Sequence, residues 1–307
     1  MKRLFVVSIH MGVHILDGKE TASAIRAQIA SDVAALKERK PGLGVILVGD
    51  NPASISYVKG KEKACAEAGM LSRELRLPET ATHDDVVAAV ESLNAAADID
   101  GILVQLPLPA HLDESAILAR IAPDKDVDGL HVQSLGSLLK GEPVFVPCTP
   151  YGVAMMLSHN GIDVAGKHVV IVGRSTLVGK SLANLLLLKG AHGDATVTVC
   201  HSRTPDLGVH TRQADVLVAA IGRPNTITAD MVKPGSVVID VGVNRVEDAT
   251  RKRGYRLVGD VDYEAVSAVA SAITPVPGGV GPMTITMLLK NTLAAARMHL
   301  QKKGQTD

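Results

Sequence analysis

The chain has 307 residues, of which 46% are hydrophobic and 21% charged, so it is long enough to bury one large core or two smaller ones. Its 32 basic and 32 acidic residues cancel, which gives no electrostatic reason to expect nucleic acid or an acidic membrane surface as a partner. No apolar run reaches membrane-spanning length, and the apolar part of the N-terminal segment, Leu4 to Val7, is too short for a secretory signal. Residues 1–12 are interpreted as a disordered extension, with Met11 as an alternative start.

The three cysteines, Cys65, Cys148 and Cys200, lie far apart and match no metal-binding spacing. An odd number of cysteines without a pattern is typical of a reducing compartment. The sequence therefore predicts a cytoplasmic protein without a metal site.

The first half of the chain alternates predicted strands and helices. Continuous apolar runs ended by glycine or proline predict buried parallel strands at 43–49 and 101–109. Helical patterns lie between and after these strands, at 54–70, 83–95 and 113–121. The loop "PDKDVDG" (123–129) follows the last of them.

The second half continues the same alternation. A helix is predicted from "TPYGVAMMLSHNG", with Thr149 as the N-cap and Pro150 at the first helical position. Short apolar runs then predict strands at 168–172, 196–200, 215–220 and 236–242. This order predicts an α/β protein of two doubly wound domains with a break near Pro147. The last helix, starting in "MTITMLLKN", is expected to pack back on the first domain.

The stretch "IVGRSTLVGKSLANLLL" (171–187) resembles the start of a dinucleotide-binding unit. An apolar strand ends at Gly173, a second glycine follows at Gly179, and a leucine-rich helical stretch begins. The usual G-x-G-x-x-G spacing is absent. A strand, a glycine turn and a helix can place backbone N–H groups and the helix dipole against a pyrophosphate. The alternative is a glycine turn that binds nothing.

The next strand favours NADP over NAD. An NAD site usually carries an acidic residue about 20 residues on, which holds the ribose 2′-hydroxyl. Here the strand ends in "CHSRT", which has no acid but offers Ser202 and Arg203, and Arg174 can approach from the turn. An arginine fork suits a phosphate. Taken alone, "HSRT" favours a polar loop over a phosphate site, and together with the glycine turn it favours the site.

A second cluster is predicted in the first domain. Tyr57 and Lys61 are four residues apart on one helix and share a face. That helix follows a strand, so its first half lies at the carboxyl edge of the sheet, where α/β proteins usually bind ligands. Gln105 near the end of the next strand, and Asp128 in "PDKDVDG", can reach the same edge. The alternative is that Tyr57 and Lys61 are ordinary surface residues.

Seven motifs together resemble one family, the bifunctional methylenetetrahydrofolate dehydrogenase/methenyltetrahydrofolate cyclohydrolase family of the FolD type. The resemblance runs from about Val13 to the last helix. The motifs, in order, are "YVKGK", "GILVQLPLP", "PDKDVDG", "PCTPYG", "GRSTLVGK", "DVGVNR" and "TPVPGGVGPMT".

The resemblance implies a fold, an activity and site residues. It implies a folate-binding catalytic domain (1–147 and 276–307) and a Rossmann-like NADP-binding domain (148–275), with the active-site cleft between them. NADP⁺-dependent oxidation of 5,10-methylenetetrahydrofolate would be followed by hydrolysis to 10-formyltetrahydrofolate. The implied partners are tetrahydrofolate derivatives and, commonly, a second copy in a homodimer, and the implied context is one-carbon metabolism and purine biosynthesis.

Residue by residue, the resemblance carries over three sets of roles. The catalytic positions are Lys61, Gln105 (which tunes the lysine) and Tyr57 (which stacks on the folate). The substrate-binding positions are Tyr57, Asp128, Pro277, Gly278 and Gly279. The cofactor-binding positions are Gly173, Arg174, Ser175, Gly179, Ser202 and Arg203. The chain departs from the family pattern at Ser181, where a proline is common, and at Gly60, where a small polar residue is frequent.

The implied chemistry suits these residue types. Oxidation of a methylene bridge between two nitrogens gives a stabilised cation directly, so hydride transfer needs positioning more than acid or base. Hydrolysis of that cation needs proton handling, for which a lysine with a lowered pKa is suitable.

Two other classes stay open at this point. An oxidoreductase of the shikimate dehydrogenase type would use a Lys/Asp pair and would not need "TPVPGGVGPMT". A non-catalytic folate- or nucleotide-binding protein would be expected to lack an intact pair of Lys61 and Gln105.

Overall fold

Two parallel sheets surrounded by helices form the fold in the computed structural model, which describes residues 12–251 and 254–304. The interpretation of residues 1–12 as an extension lies outside the described residues, apart from Gly12. The strands in the described part are, in chain order, His14–Ile15 (β1), Gly42–Val48 (β2), Leu71–Leu77 (β3), Gly101–Val104 (β4), His168–Val172 (β5), Thr196–Cys200 (β6), Val216–Ala219 (β7), Val237–Asp240 (β8), Asn244–Glu247 (β9), Tyr255–Val258 (β10) and Ala272–Ile273 (β11).

Helices follow most of these strands. The α-helices in the same part of the chain are Gly18–Ala34 (α1), Pro52–Glu67 (α2), His83–Ala95 (α3), Glu114–Leu118 (α4), Val132–Lys140 (α5), Cys148–His159 (α6), Ser181–Leu187 (α7), Leu207–Thr211 (α8), Tyr263–Ser267 (α9) and Val280–Gly304 (α10). None of the helices described is long and apolar enough to cross a membrane.

The smaller sheet has the order β3-β2-β4, with both pairings parallel. Strand β2 lies in the centre and is buried at every position, as its continuous apolar run predicts. Strand β3 and helix α1 were not predicted. In β3, "LSRELRL", the charged residues break up the apolar run, because this edge strand is partly exposed along its length.

The larger sheet has the order β1-β11-β8-β7-β5-β6, and all its pairings are parallel. The predicted α/β class with parallel sheets is thereby confirmed. Strand β1 lies in the first predicted domain by its number, yet it pairs with β11 at the edge of this sheet. A two-residue strand carries no periodicity, so its partner could not be read from the sequence. An antiparallel hairpin of β9 and β10 was also not predicted.

Helix α10, the last element of the described chain, packs against earlier helices. It contacts α1, α2 and α6, and its own residues Met283, Met287 and Leu293 are buried. The expectation that this helix packs back on the first domain is confirmed.

Two predicted boundaries were wrong. Helix α6 begins at Cys148 with Pro147 as its N-cap residue, so Thr149 is not the N-cap. The Thr149 hydroxyl instead lies 3.1 Å from the hydroxyl of Thr284 on α10. Strand β4 ends at Val104 rather than at residue 109, because proline cannot donate to a strand ladder. Gln105 therefore directly follows the strand.

Candidate active site

A cleft of about 410 Å³ lies between the two sheets. Its walls come from both halves of the chain, and its polar groups come mainly from the first half. The lining residues include Tyr57, Lys61, Gln105, Asp128, Cys148, Leu177, Val178, Val241, Val243, Val280 and Thr284. The sequence-predicted cluster of Tyr57, Lys61, Gln105 and Asp128 thus converges on one space.

Lys61 reaches this cleft from the buried face of α2. The helix starts at Asn51, whose side chain accepts hydrogen bonds from the N–H groups of Ala53 (2.9 Å) and Ser54 (3.4 Å). Ser54, Val58, Lys61 and Cys65 follow at helical spacing and are all buried. Lys61 is only 8% exposed, so it is not an ordinary surface lysine.

Gln105 is the hydrogen-bond partner of Lys61. The lysine Nζ donates to Gln105 Oε1 across 2.8 Å, and Gln105 Nε2 donates to the carbonyl of Leu106 across 2.6 Å. The second contact fixes which end of the amide faces the lysine. A neutral acceptor can hold the amine in either protonation state, because it adds no charge that favours the ammonium.

The environment of Lys61 disfavours the charged ammonium relative to that of a solvated lysine. Burial lowers the pKa of Lys61, and the Asp128 carboxylate is the largest opposing influence. No carboxylate in the described part of the chain lies within 4.0 Å of Lys61 Nζ. Desolvation therefore prevails, and the lysine is suited to exchanging a proton closer to neutral pH than a solvated lysine.

Asp128 lies on a loop that the two buried residues Lys125 and Asp126, just before it, anchor to α3 and α5. On one side, the Lys125 ammonium donates to the carbonyls of Leu93 (3.1 Å), Asn94 (2.8 Å) and Ala96 (2.9 Å) at the end of α3. On the other side, Asp126 accepts from residues at the start of α5; its donors are the N–H groups of Leu130 and His131 and the hydroxyl of Ser134. Burial raises the pKa of Asp128, and the Lys61 ammonium opposes that change.

Tyr57 stands one helical turn before Lys61, with its side chain 50% exposed at the cleft. A half-exposed ring on a rigid helix offers a flat apolar surface to a ligand. Cys148, for which no role was predicted, also lines the cleft. Its signal was its place in "PCTPYG", one of the family motifs. Burial raises the pKa of the Cys148 thiol well above its usual value, so it is not a reactive thiolate.

The glycine turn after β5 fits a dinucleotide. A Cβ on Gly173 would lie 2.1 Å from the carbonyl oxygen of Ala220, and one on Gly179 would lie 2.0 Å from that of Gly173. Only glycine allows so close an approach. Ser175 caps the π-helical turn Thr176–Lys180 by accepting from the N–H of Val178 across 3.2 Å, and α7 follows directly. The result is an exposed helix N-terminus of the kind that binds phosphate.

Arg174, Ser202 and Arg203 are all exposed beside this turn. Strands β5 and β6 are neighbours, and the Gly173 N–H donates to the carbonyl of Cys200 across 2.9 Å, so the segments that follow the two strands meet at one edge. Within the described residues no hydrogen bond joins these three side chains to one another. Their donors remain available to a ligand.

Pro277, Gly278 and Gly279 lie between β11 and α10. Gly278 has a φ of 113° and accepts from the N–H of Gly18, while the Gly279 N–H donates to the carbonyl of Pro275. In the described part of this segment, Val280 and Gly281 line the cleft, whereas Pro277, Gly278 and Gly279 do not. The loop therefore borders the cleft and orients the start of α10.

The two departures from the family pattern are accommodated locally. Ser181 is buried, and its hydroxyl donates to the carbonyl of Thr176 across 2.5 Å, which closes the turn before α7. A Cβ on Gly60 would touch only Ile285 Cδ1, at 3.6 Å. A small side chain would fit there without displacing Lys61.

The fold and this site define a two-domain α/β oxidoreductase with a glycine-turn dinucleotide site and a lysine-containing cleft. The family model "Tetrahydrofolate dehydrogenase/cyclohydrolase, catalytic domain" matches residues 16–128, and its NAD(P)-binding domain counterpart matches residues 147–300. The chain belongs to the tetrahydrofolate dehydrogenase/cyclohydrolase family.

Individual relatives agree with this assignment. Bifunctional protein FolD 1 of Myxococcus xanthus is 58% identical over 92% of this chain and 97% of its own length. The crystal structure of the FolD enzyme of Campylobacter jejuni has a TM-score of 0.88 and 46% identity, and covers 93% of this chain and 99% of its own. The Trypanosoma brucei FolD structure, complexed with NADP cofactor and inhibitor, has a TM-score of 0.89 and 40% identity, and covers 94% and 99%.

These findings confirm the family resemblance, the predicted enzyme class and an NAD(P) cofactor. The chain is a bifunctional tetrahydrofolate dehydrogenase and cyclohydrolase rather than an oxidoreductase of the shikimate dehydrogenase type or a non-catalytic binding protein.

Proposed function

We propose that a single cleft performs both reactions, with Lys61 needed for the second far more than for the first. The substrate, 5,10-methylenetetrahydrofolate, is oxidised to the methenyl cation, which is then hydrolysed to 10-formyltetrahydrofolate. The observation that carries this proposal is a lysine that is 8% exposed and held by the neutral Gln105 at 2.8 Å.

In the first reaction the chain's residues bind and orient. Tyr57 offers a flat surface to the folate, and Asp128 accepts hydrogen bonds from the pterin edge. When bound, NADP⁺ supplies the hydride acceptor. Leu177, Val178, Val241 and Val243 form an apolar wall on the side of the glycine turn, which excludes water from the reacting face.

In the second reaction water adds to the methenyl carbon and loses one proton. The hydroxyl that results then loses its second proton to solvent as the bond from this carbon to N5 breaks and N5 gains a proton, so one proton is released overall. Lys61 in its neutral form can accept the proton from the attacking water and return it to the nitrogen, so the lysine ends as it began. Gln105 keeps the amine directed into the cleft throughout. Pro277, Gly278 and Gly279 would set the start of α10 against the folate.

The experiment that tests this function separates the two reactions. Purified protein is given methylenetetrahydrofolate and NADP⁺, and NADPH formation is followed; methenyltetrahydrofolate is then given without cofactor, and its decay is followed. Both activities are expected. Absence of either one from the folded protein would contradict the proposal.

We also propose that NADP⁺ is preferred over NAD⁺, because Arg174, Ser202 and Arg203 are exposed at the strand ends and no acid occurs in "CHSRT". Arg174→Ala is expected to raise the KM for NADP⁺ by about 10-fold or more, since a hydrogen bond to a charged group contributes about 1.5–3 kcal/mol. The KM for NAD⁺ should change little. Arg120→Ala, at an exposed arginine of the first half, is the control; equal effects of Arg174→Ala on both cofactors would contradict the 2′-phosphate assignment.

Gln105→Glu should shift the pH dependence of hydrolysis upward. A carboxylate 2.8 Å from Nζ would favour the ammonium and raise the pKa of Lys61, so the active neutral amine would form only at higher pH. The acid limb of the rate profile is measured on methenyltetrahydrofolate. Gln105→Met, which is uncharged, is the control. The acid limb of its pH–rate profile should not move to higher pH. If the acid limb of the Gln105→Glu profile lies at the same pH as in the wild type, Lys61 does not exchange the proton.

A homodimer formed through the cofactor domains, a cytoplasmic location and a role in purine biosynthesis follow from the family resemblance as further proposals. The cytoplasmic location is supported by three unpaired, buried cysteines. Light scattering on the purified chain tests the dimer. The domain limits of 1–147 with 276–307, and 148–275, likewise remain predictions.

A further inference from the structure

Two buried carboxylates lie at the carboxyl end of the larger sheet, outside the site described above. Asp240 ends strand β8 and is 3% exposed, and Asp260 follows β10 and is fully buried. In the described part of the chain neither carboxylate forms an ion pair with a lysine, arginine or histidine. The two carboxylates have no role in the mechanism so far, although Val241 and Val243 of the "DVGVNR" segment line the cleft.

Asp260 holds the segment that follows β7. Its carboxylate accepts from three successive N–H groups, those of Ile221 (2.5 Å), Gly222 (2.9 Å) and Arg223 (3.0 Å). It also accepts from the Asn244 side-chain amide across 2.9 Å. All four partners are donors, so only a group with two acceptor oxygens can satisfy them.

Asp240 fixes the backbone that carries Asp260. It accepts from the N–H groups of Gly242 (2.9 Å), Asp260 (3.0 Å) and Val261 (2.9 Å). Each carboxylate lies directly against a glycine, Asp240 against Gly259 and Asp260 against Gly242, and leaves no space there for a side chain. A Cβ on Gly259 would lie 1.8 Å from Asp240 Oδ2, and one on Gly242 would lie 2.2 Å from Asp260 Oδ1.

The segments held in this way border the dinucleotide turn. The carbonyl of Ala220, next to the residues bound by Asp260, fills the space beside Gly173. Val241 and Val243, on either side of Gly242, line the cleft. Lys61, Gln105 and Asp128 lie on elements of the first half of the chain, and none of them is hydrogen-bonded to these segments.

We propose that Asp240 and Asp260 are positioning residues for the dehydrogenase reaction: they hold the residues after β7 and β8 as the wall against which the cofactor binds. The inference rests on the proposed function. It requires that loss of the Asp260 carboxylate weakens cofactor use and spares hydrolysis, which needs no cofactor.

The test is Asp260→Asn, assayed for both activities on the purified chain. The amide has the shape of the carboxylate but presents donors to groups that are themselves donors. The KM for NADP⁺ should rise about 10-fold or more, while kcat/KM for methenyltetrahydrofolate hydrolysis stays within about twofold of wild type. The control is Asp215→Asn, whose carboxylate accepts the His168 N–H across 2.9 Å at the amino end of the same sheet. It should change neither value.

The outcomes separate this inference from the proposed function. A wild-type protein without both activities would contradict the proposed function itself. With both present, an unchanged KM for NADP⁺ in Asp260→Asn, or an equal loss of both activities, would overturn the positioning role. If Asp260→Asn does not fold, Asn244→Ala removes one contact of the same carboxylate and should raise the KM for NADP⁺ selectively; no selective rise there would overturn the role as well.

Discussion

Lys61→Met is expected to abolish cyclohydrolase activity while part of the dehydrogenase activity survives. Methionine fills a similar volume in the buried site but cannot exchange a proton. Loss of one proton-transfer group typically costs ~10²–10⁴-fold. Hydride transfer needs no proton from this residue, so methenyltetrahydrofolate should accumulate when the variant is given methylenetetrahydrofolate and NADP⁺. The measurement is the rate of methenyl decay beside the rate of NADPH formation.

Lys59→Met is the matched control, because Lys59 lies on the same helix but is exposed. It should leave both rates unchanged. If Lys61→Met hydrolyses methenyltetrahydrofolate at the wild-type rate, the lysine does not handle the proton, and the role carried over from the family does not hold for this chain.

Asp128→Asn is expected to lower both activities together. The amide keeps the shape of the side chain but cannot accept paired pterin hydrogen bonds as a charge does. Loss of one charged hydrogen bond is worth about 1.5–3 kcal/mol, or roughly 10–100-fold in kcat/KM. Both reactions need the folate bound in the same position in the cleft, so both assays should show the loss. Asp124→Asn, at a less buried carboxylate on the same loop, is the control.

The same variant has a second expected effect. Asp128 opposes the lowering of the Lys61 pKa, so its removal should lower that pKa further. The acid limb of the remaining hydrolysis profile should then move to lower pH, in the direction opposite to that expected for Gln105→Glu. Loss of only one activity would contradict the binding role of Asp128.

The cluster in the cleft could be predicted because the position of each residue within its own helix, strand or loop can be read from the nearby sequence. Tyr57 and Lys61 are one helical turn apart, and Gln105 follows an apolar run that ends at the sheet edge. The rule that parallel sheets bind ligands at their carboxyl edge then places these groups together. The roles themselves came from the family motifs, since spacing alone also allowed an ordinary surface lysine.

Other features depend on contacts that no sequence pattern records. Strand β1 has two residues and joins the larger sheet through β11, more than 250 positions away. The Asp260 carboxylate accepts hydrogen bonds from residues 221–223 and from Asn244. These residues are distant from it in sequence and give no periodic signal. Thr149 resembled an N-cap but hydrogen-bonds with α10 instead, because the helix has its N-cap two residues earlier, at Pro147, and begins at Cys148.

The most direct test of a single cleft with two chemistries is a time course on the wild-type protein with methylenetetrahydrofolate and NADP⁺. Methenyl absorbance and NADPH are followed in the same cuvette. Our account predicts that NADPH rises steadily while methenyltetrahydrofolate stays low, and that Lys61→Met converts this into a methenyl signal that rises with NADPH and persists. A methenyl signal that decays equally fast in the wild type and in Lys61→Met would contradict the account.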